Sequence, residues 1–185
     1  MARRIAYDGA PVITAAEVAD QCRIEADDLQ SSLIETVIIP GVTAQAEAKT
    51  GAAIHGALFE EEWPEHYPSG HVLDVGQATE IMAISRVEAD GSITDLEPVP
   101  AHRLEIGQRE SRLHFINERP AGRLIIRYKA CANLEAYPGV KQWLLMMAAT
   151  AYEFRENLVV GTILAELPKS FTDSMLAEIT LPPRV

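Results

Sequence analysis

Residues 138–161, PGVKQWLLMMAATAYEFRENLVVG, contain the strongest periodic signal in the chain. Their apolar side chains recur at steps of three and four residues, the spacing of one face of an α-helix, at Val140, Leu144, Met147, Ala151, Phe154 and Leu158. Pro138 suits the first helical turn, and Gly161 suits the position after the last one. An apolar face of this length has to pack against other elements, so we predict that this long helix lies in a helical core.

The N-terminal part of the chain predicts two helices as packing partners. Thr14-Ala-Ala-Glu17 has the spacing of a capping box and begins a short helix. A longer helix is expected from about Asp28 until Gly51, which offers a C-cap. Pro40 lies inside this helix and removes a backbone donor, so we expect a kink or a break near residues 39–41.

Between residues 54 and 129 the apolar pattern changes from the helical period toward the period of two that strands show. Asp90-Gly91 predicts a hairpin turn, because glycine accepts positive φ at little cost. This segment is therefore expected to form antiparallel strands.

We therefore predict an α+β fold with a helical-bundle core and an inserted antiparallel β region. The core would contain two N-terminal helices, one long C-terminal helix and a short final helix. A length of 185 residues fits a single domain. Its expected segments are helical 12–51, β-rich 54–129, a long helix 138–161, a short helix 170–180 and an extended tail 181–185.

Charge is distributed unevenly along the chain. The net charge is −11, with a balance of −13 over residues 1–100 and +2 over residues 101–185. An acidic total argues against tight binding of a nucleic-acid backbone, which relies on neutralising phosphates. No apolar run approaches the roughly 20 residues of a membrane helix, so we expect no membrane partner.

The charged residues define two candidate surfaces. Glu60, Glu61 and Glu62 form an acidic run, which is either a solvated edge strand or an acidic surface that keeps passing DNA from sticking. The second surface is basic and would meet an acidic surface of a neighbouring copy, the alternative being a solvated surface of uneven charge. Its candidate residues are Arg103, Arg109, Arg112, Arg123 and Arg127.

Few residues suit catalysis or metal binding. The sequence has no nucleophile elbow, phosphate-binding loop or dinucleotide fingerprint. His66 and His71 lie near the three glutamates, but in a loop with Pro and Gly and without regular ligand spacing. We predict no catalytic residue, no metal ligand and no cofactor. A small metal-dependent enzyme that uses these histidines remains an alternative.

The C-terminal segment is a candidate docking element. Phe171, Met175 and Ile179 share one face of a helix too short to be stable alone, and the sequence after it is stiff and extended. The alternative is that this helix folds back on the long helix. The candidate docking residues are Phe171, Met175, Ile179, Leu181, Pro182, Pro183, Arg184 and Val185.

The order of these elements over about residues 12–180 resembles the head-tail connector, or head-completion adaptor, proteins of long-tailed double-stranded DNA bacteriophages. The resemblance rests on seven segments in this order: Thr14–Glu17, Glu25–Leu29, Ala46–Gly51, the hairpin Ser85–Thr94, Arg123–Tyr128, Ala151–Asn157 and Leu167–Phe171. Pro40 departs from it, because related sequences usually run a continuous helix there.

The resemblance implies a structural virion protein without catalysis. About twelve copies would form a ring on the portal vertex, join the capsid to the tail, and let double-stranded DNA pass without specific binding. Its partners would be the portal protein, through the C-terminal region, and a tail-side completion or tail-terminator protein. It would act in the virion neck after assembly in the bacterial host cytoplasm. An unrelated oligomeric assembly or regulatory module is a further alternative.

Overall fold

The computed structural model describes residues 2–25, 30–154 and 169–183, and the chain divides into two compact units. The β unit consists of Met1–Ala10, Gly51–Ala132 and Leu181–Val185. The helical unit consists of Pro11–Thr50 and Asn133–Thr180. Each unit therefore combines segments that are distant in sequence.

The β unit contains two antiparallel sheets. Its strands are β1 (Arg3–Tyr7), β2 (Ala57–Trp63), β3 (His71–Val72), β4 (Ala78–Val87), β5 (Ile93–Asp95), β6 (His102–Ile106), β7 (Ser111–Phe115) and β8 (Arg123–Ala130). The five-stranded sheet has the order β1-β2-β8-β4-β5, and the three-stranded sheet has the order β3-β7-β6. The predicted Asp90-Gly91 hairpin is confirmed: it joins β4 to β5, with Gly91 at φ +85°.

Alternation along the strands builds the core of the β unit. Phe59 and Trp63 of β2 face inward with their cross-strand partners Tyr128 and Leu124 of β8. They pack in one buried cluster with residues of the three-stranded sheet such as Phe115. Burial of large aromatic side chains, each worth a few kcal/mol, makes this cluster a major source of stability.

The helical unit is organised around α4. Its elements are α1 (Ala15–Cys22), α2 (Ser31–Leu33), a π-helical stretch (Ile34–Ile38), α3 (Ile39–Thr50), α4 (Pro138–Glu153) and α5 (Lys169–Leu176). The helix α4 packs against α1, α3 and α5. The predicted capping box is confirmed, since Glu17 N–H donates to Thr14 Oγ1 and Thr14 N–H donates to Glu17 Oε2. None of the helices in the described ranges is long and apolar enough to cross a membrane.

Pro40 lies in the second position of α3, directly after the π-helical stretch. Because proline has no N–H, it cannot donate to the carbonyl group four residues earlier. The N–H of Ile39 instead donates to the carbonyl of Ile34, five residues back. The irregularity therefore lies one turn before the predicted position, and α3 continues through residues 39–41 without a break.

The predicted fold class is wrong. Within the described residues, two antiparallel sheets with eight strands contain about as many residues as the helices. A large aromatic core lies among these strands rather than in a helical bundle. The N-terminal region also contributes β1, which pairs with β2 across more than fifty residues. The helical stripe at 138–161 dominated the sequence pattern, whereas β1 has exposed side chains on both faces and carries no apolar alternation. Residues 155–161 of the expected long helix lie outside the described residues.

Candidate functional site

The acidic run lies on β2, which is an inner strand between β1 and β8. The interpretation as a solvated edge strand is therefore wrong. Successive residues alternate between the faces of a strand, so Glu60 and Glu62 point outward and Glu61 points into the core. Glu61 is 1% exposed, and its assignment to an acidic surface is wrong for this reason.

Three donors satisfy the buried carboxylate of Glu61. Trp63 Nε1 donates to Oε1 at 2.9 Å, while the backbone N–H of Asp74 and the hydroxyl of Tyr128 donate to Oε2 at 2.8 and 3.0 Å. Burial raises the pKa of Glu61 despite these bonds, and the neighbouring Asp74 carboxylate adds to the rise. Burial and the Glu61 charge also raise the pKa of Tyr128. This network links β2, β8 and the segment after β3.

The outward glutamates are paired within the chain. Glu60 accepts from Arg127 Nε at 2.9 Å and from Arg3 at 3.0 Å, and these two bonds lower its pKa, the Arg127 bond more strongly. Glu62 forms an ion pair with Arg123. The outer face of the five-stranded sheet therefore carries cross-strand ion pairs rather than a continuous acidic surface.

The predicted basic residues divide into separate groups. Arg123 and Arg127 lie on β8, whereas Arg103 and Arg112 lie on β6 and β7 of the other sheet. Arg103 contacts Glu105 at 3.8 Å, and Arg112 contacts Glu110 at 3.2 Å. Arg109 is exposed in the connection between β6 and β7. Four of the five arginines thus have carboxylate partners in their own chain.

The candidate metal histidines pack against aromatic rings. His71 stacks on Tyr67 with ring centroids 3.7 Å apart, and His66 meets the edge of the same ring at 5.0 Å. His71 also lies edge-on to Trp63, at 5.4 Å. Across residues 2–25, 30–154 and 169–183, no group of three or more histidine, cysteine or acidic side chains is arranged to hold a metal ion.

The C-terminal helix folds back on the helical unit. Its backbone lies close to α4: a Cβ atom added to Gly139 of α4 would be only 3.1 Å from the carbonyl oxygen of Met175. Ile179 is fully buried, so its assignment to a docking face is wrong. Met175 is half-buried, whereas Phe171 is 47% exposed and remains available to a partner.

The tail after this helix begins with Leu181, whose side chain packs against other residues of the chain. Leu181 packs on two glycines of the β unit. A Cβ atom added to Gly51 would lie 2.8 Å from Leu181 Cδ1, and one added to Gly76 would lie 3.1 Å from Leu181 Cδ2. Pro182 and Pro183 are exposed. The candidate residues Arg184 and Val185 lie outside the described residues.

Sequence reasoning missed the two edges of the five-stranded sheet. The strands β1 and β5 form opposite edges, and their side chains are almost all exposed. The β1 edge carries Arg3 and Arg4, while residues 88–97, which include β5, carry four acidic and no basic residues. The four acidic residues of 88–97 can be read from the sequence, but the basic edge cannot, because nothing in the sequence indicates a strand at residues 3–7.

The sequence matches no protein-family model and no curated protein. Several chains in solved structures have the same fold, and three of them come from gene transfer agent particles. One is from the virion of the native gene transfer agent particle, with 19% identity and a TM-score of 0.76. The second is from the neck of the empty particle computed with C6 symmetry, with 18% identity and a TM-score of 0.77. The third is from the neck of the native particle computed with C12 symmetry, with 20% identity and a TM-score of 0.70. Each match covers 100% of this chain and 97% of the other, so the chain shares its whole fold with these particle proteins.

Proposed function

We propose that this chain is a structural virion protein of the neck, a head-tail connector without enzymatic activity. It forms a ring on the portal vertex, joins the capsid to the tail and lets double-stranded DNA pass. The observation that carries the proposal is the likeness in fold to chains of gene transfer agent particles over the full length of both proteins.

The symmetry of the neck structures supports a ring. One neck was computed with C12 symmetry and another with C6 symmetry, and a ring of about twelve copies is compatible with both. The net charge of −11 also suits a channel that holds DNA without trapping it. Glu60 and Glu62 remain candidates for a channel-facing surface, although their pairing with arginines weakens the repulsion they exert.

We propose that the exposed part of the C-terminal segment contacts the portal protein. Phe171 is a large apolar side chain exposed on α5, and Pro182 and Pro183 are an exposed, stiff extension. An extended segment of this kind binds another protein with a small loss of conformational entropy. A tail-side completion or tail-terminator protein would bind the other end of the ring, after assembly in the cytoplasm of a bacterial host.

Electron microscopy of the purified protein, alone and with a portal protein, tests this proposal. We expect rings with a central hole and a mass of about 240 kDa by light scattering, which is twelve copies of the 20.3 kDa chain. A variant that lacks residues 182–185 should keep its melting temperature and its rings but lose portal binding. A small closed oligomer that ignores the portal, or stoichiometric metal by elemental analysis, would contradict the proposal.

A further inference from the structure

The two edges of the five-stranded sheet are chemically complementary. On β1, Arg3 and Arg4 accompany the apolar side chain of Ile5, which is 43% exposed. On the opposite edge, β5 presents Ile93 at 54% exposure, next to Asp95 and the acidic residues that flank the strand. One edge therefore combines apolar surface with two arginines, and the other combines it with carboxylates. Arg3 also pairs with Glu60 of β2, and Arg4 donates to the hydroxyl of Tyr7, so the positive charge at the β1 edge is partly balanced within the chain.

These edges cannot meet within one molecule. Three strands separate β1 from β5, and with a spacing of about 4.8 Å per strand the two edges lie roughly 19 Å apart. Every neighbouring pair in the sheet is antiparallel, so β1 and β5 run in the same direction. Two copies placed side by side in the same orientation would bring β5 of one copy next to β1 of the other.

We propose that the β5 edge of one copy lies against the β1 edge of the next copy and that this contact repeats around the oligomer. The proposal rests on the ring assembly proposed above and names the surfaces that would form it. The contact is heterologous, because two different surfaces meet, and a heterologous contact that closes produces a ring.

Physical chemistry favours this pairing over the alternatives. An edge strand presents backbone N–H and C=O groups that can pair with another strand. Contact between two β1 edges would bring arginines together, and contact between two β5 edges would bring carboxylates together, so like charges disfavour a closed dimer. Contact between unlike edges places opposite charges side by side and buries Ile5 and Ile93, which supply most of the association energy.

Disulfide crosslinking tests the pairing directly. In a Cys22→Ser/Cys131→Ser background, the variant with both Ile5→Cys and Ile93→Cys should form a ladder of covalent oligomers under mild oxidation. An intramolecular disulfide is excluded, because it requires Cα atoms within about 7 Å. The variants with one of the two cysteines should give dimers at most. A matched control pairs Ile5→Cys with Ile116→Cys, which is exposed but lies beyond the end of β7.

Charge reversal provides a second measurement. Glu88 and Glu97 are suitable, because the other two acidic residues, Asp90 and Asp95, accept hydrogen bonds from Ser92 and Ser85 within the hairpin. Glu88→Lys/Glu97→Lys should raise the concentration needed for half-assembly about tenfold, since each exposed pair contributes about 0–1 kcal/mol. Adding Arg3→Glu should restore part of the affinity relative to Arg3→Glu alone, which reports the separate effect of losing the Arg3–Glu60 pair.

The matched control for this reversal is Asp20→Lys/Glu178→Lys, which makes the same change of charge at exposed positions of the helical unit. Equal losses in both double variants, or a ladder no longer than in the Ile116 control, would overturn the edge contact. Wild-type rings that bind portal would then leave the connector proposal intact. A full ladder from protein that forms no rings and ignores portal would support the edge contact and refute the connector proposal.

Discussion

Replacing Glu61 by alanine should destabilise the protein far more than any other change in the acidic run. The substitution removes the acceptor of three donors, of which the Trp63 indole N–H and the Tyr128 hydroxyl belong to side chains with 0% exposure. A buried donor left without a partner costs about 1–3 kcal/mol. Some of this loss is offset because a buried negative charge disappears, so we expect a net loss of about 3 kcal/mol of unfolding free energy.

Chemical denaturation and thermal unfolding measure this effect. A loss of about 3 kcal/mol corresponds to a fall in melting temperature of roughly 6–12 °C for a chain of this length. Glu62→Ala is the matched control, since Glu62 is the next residue, points outward and forms an exposed ion pair with Arg123. The control should change stability by about 0–1 kcal/mol. Equal effects of the two substitutions would refute the role assigned to the Glu61 network.

The contribution of Glu61 to the unfolding free energy should decrease as the pH rises. Burial raises the pKa of Glu61 in the folded protein above its ordinary value of 4.5, so the folded state retains a proton that the unfolded state has lost. The stability of the wild type relative to Glu61→Gln, which does not titrate at this position, should be highest below that ordinary value. It should fall as the pH rises through the raised pKa. A relative stability that increases with pH would show that the carboxylate is stabilised as an anion.

Two further substitutions test the π-helical stretch before Pro40 and the packing of Leu181 on Gly51. Pro40→Ala restores a backbone N–H at position 40, whose absence the π-helical stretch accommodates. The unfolding free energy should therefore change by only about 1 kcal/mol, while the yield of rings changes. A large gain in stability with normal rings would show that the π-helical stretch has no role in assembly. Gly51→Ala should cost more than Gly91→Ala, because both glycines have positive φ but only at Gly51 would a Cβ atom meet Leu181. Equal melting temperatures would show that Leu181 moves aside freely.

Local signals in the sequence were sufficient where short-range chemistry decides the structure. The capping box at Thr14, the turn at Asp90-Gly91 and the helix start at Pro138 all depend on residues within a few positions of one another, and the structure contains all three. The change of apolar period at residue 54 also indicated strands, and the next element of the chain is the strand Ala57–Trp63.

The features that could not be predicted from the sequence depend on contacts between residues that are far apart in the chain. Glu61 is buried because an indole two residues away and a hydroxyl 67 positions away converge on it, and strand alternation alone cannot reveal the second partner. Ile179 was expected on an exposed docking face, yet it is fully buried, because α5 packs on α4. The strand β1 exists through its ladder with β2 rather than through any apolar pattern of its own.

The interleaving of the two units along the chain determines the order in which they can fold during synthesis. The strands of the β unit are complete once Ala130 has been made, whereas α1 and α3 have no α4 to pack against until translation reaches residues 138–153. Residues 51–137, about 87 residues, separate the end of α3 from the start of α4, and their synthesis takes roughly 4–17 s at about 5–20 residues per second. A nascent chain therefore displays a finished sheet with two open edges while the apolar faces of its first helices are still uncovered. Slow translation prolongs that interval and with it the opportunity for premature association on the ribosome.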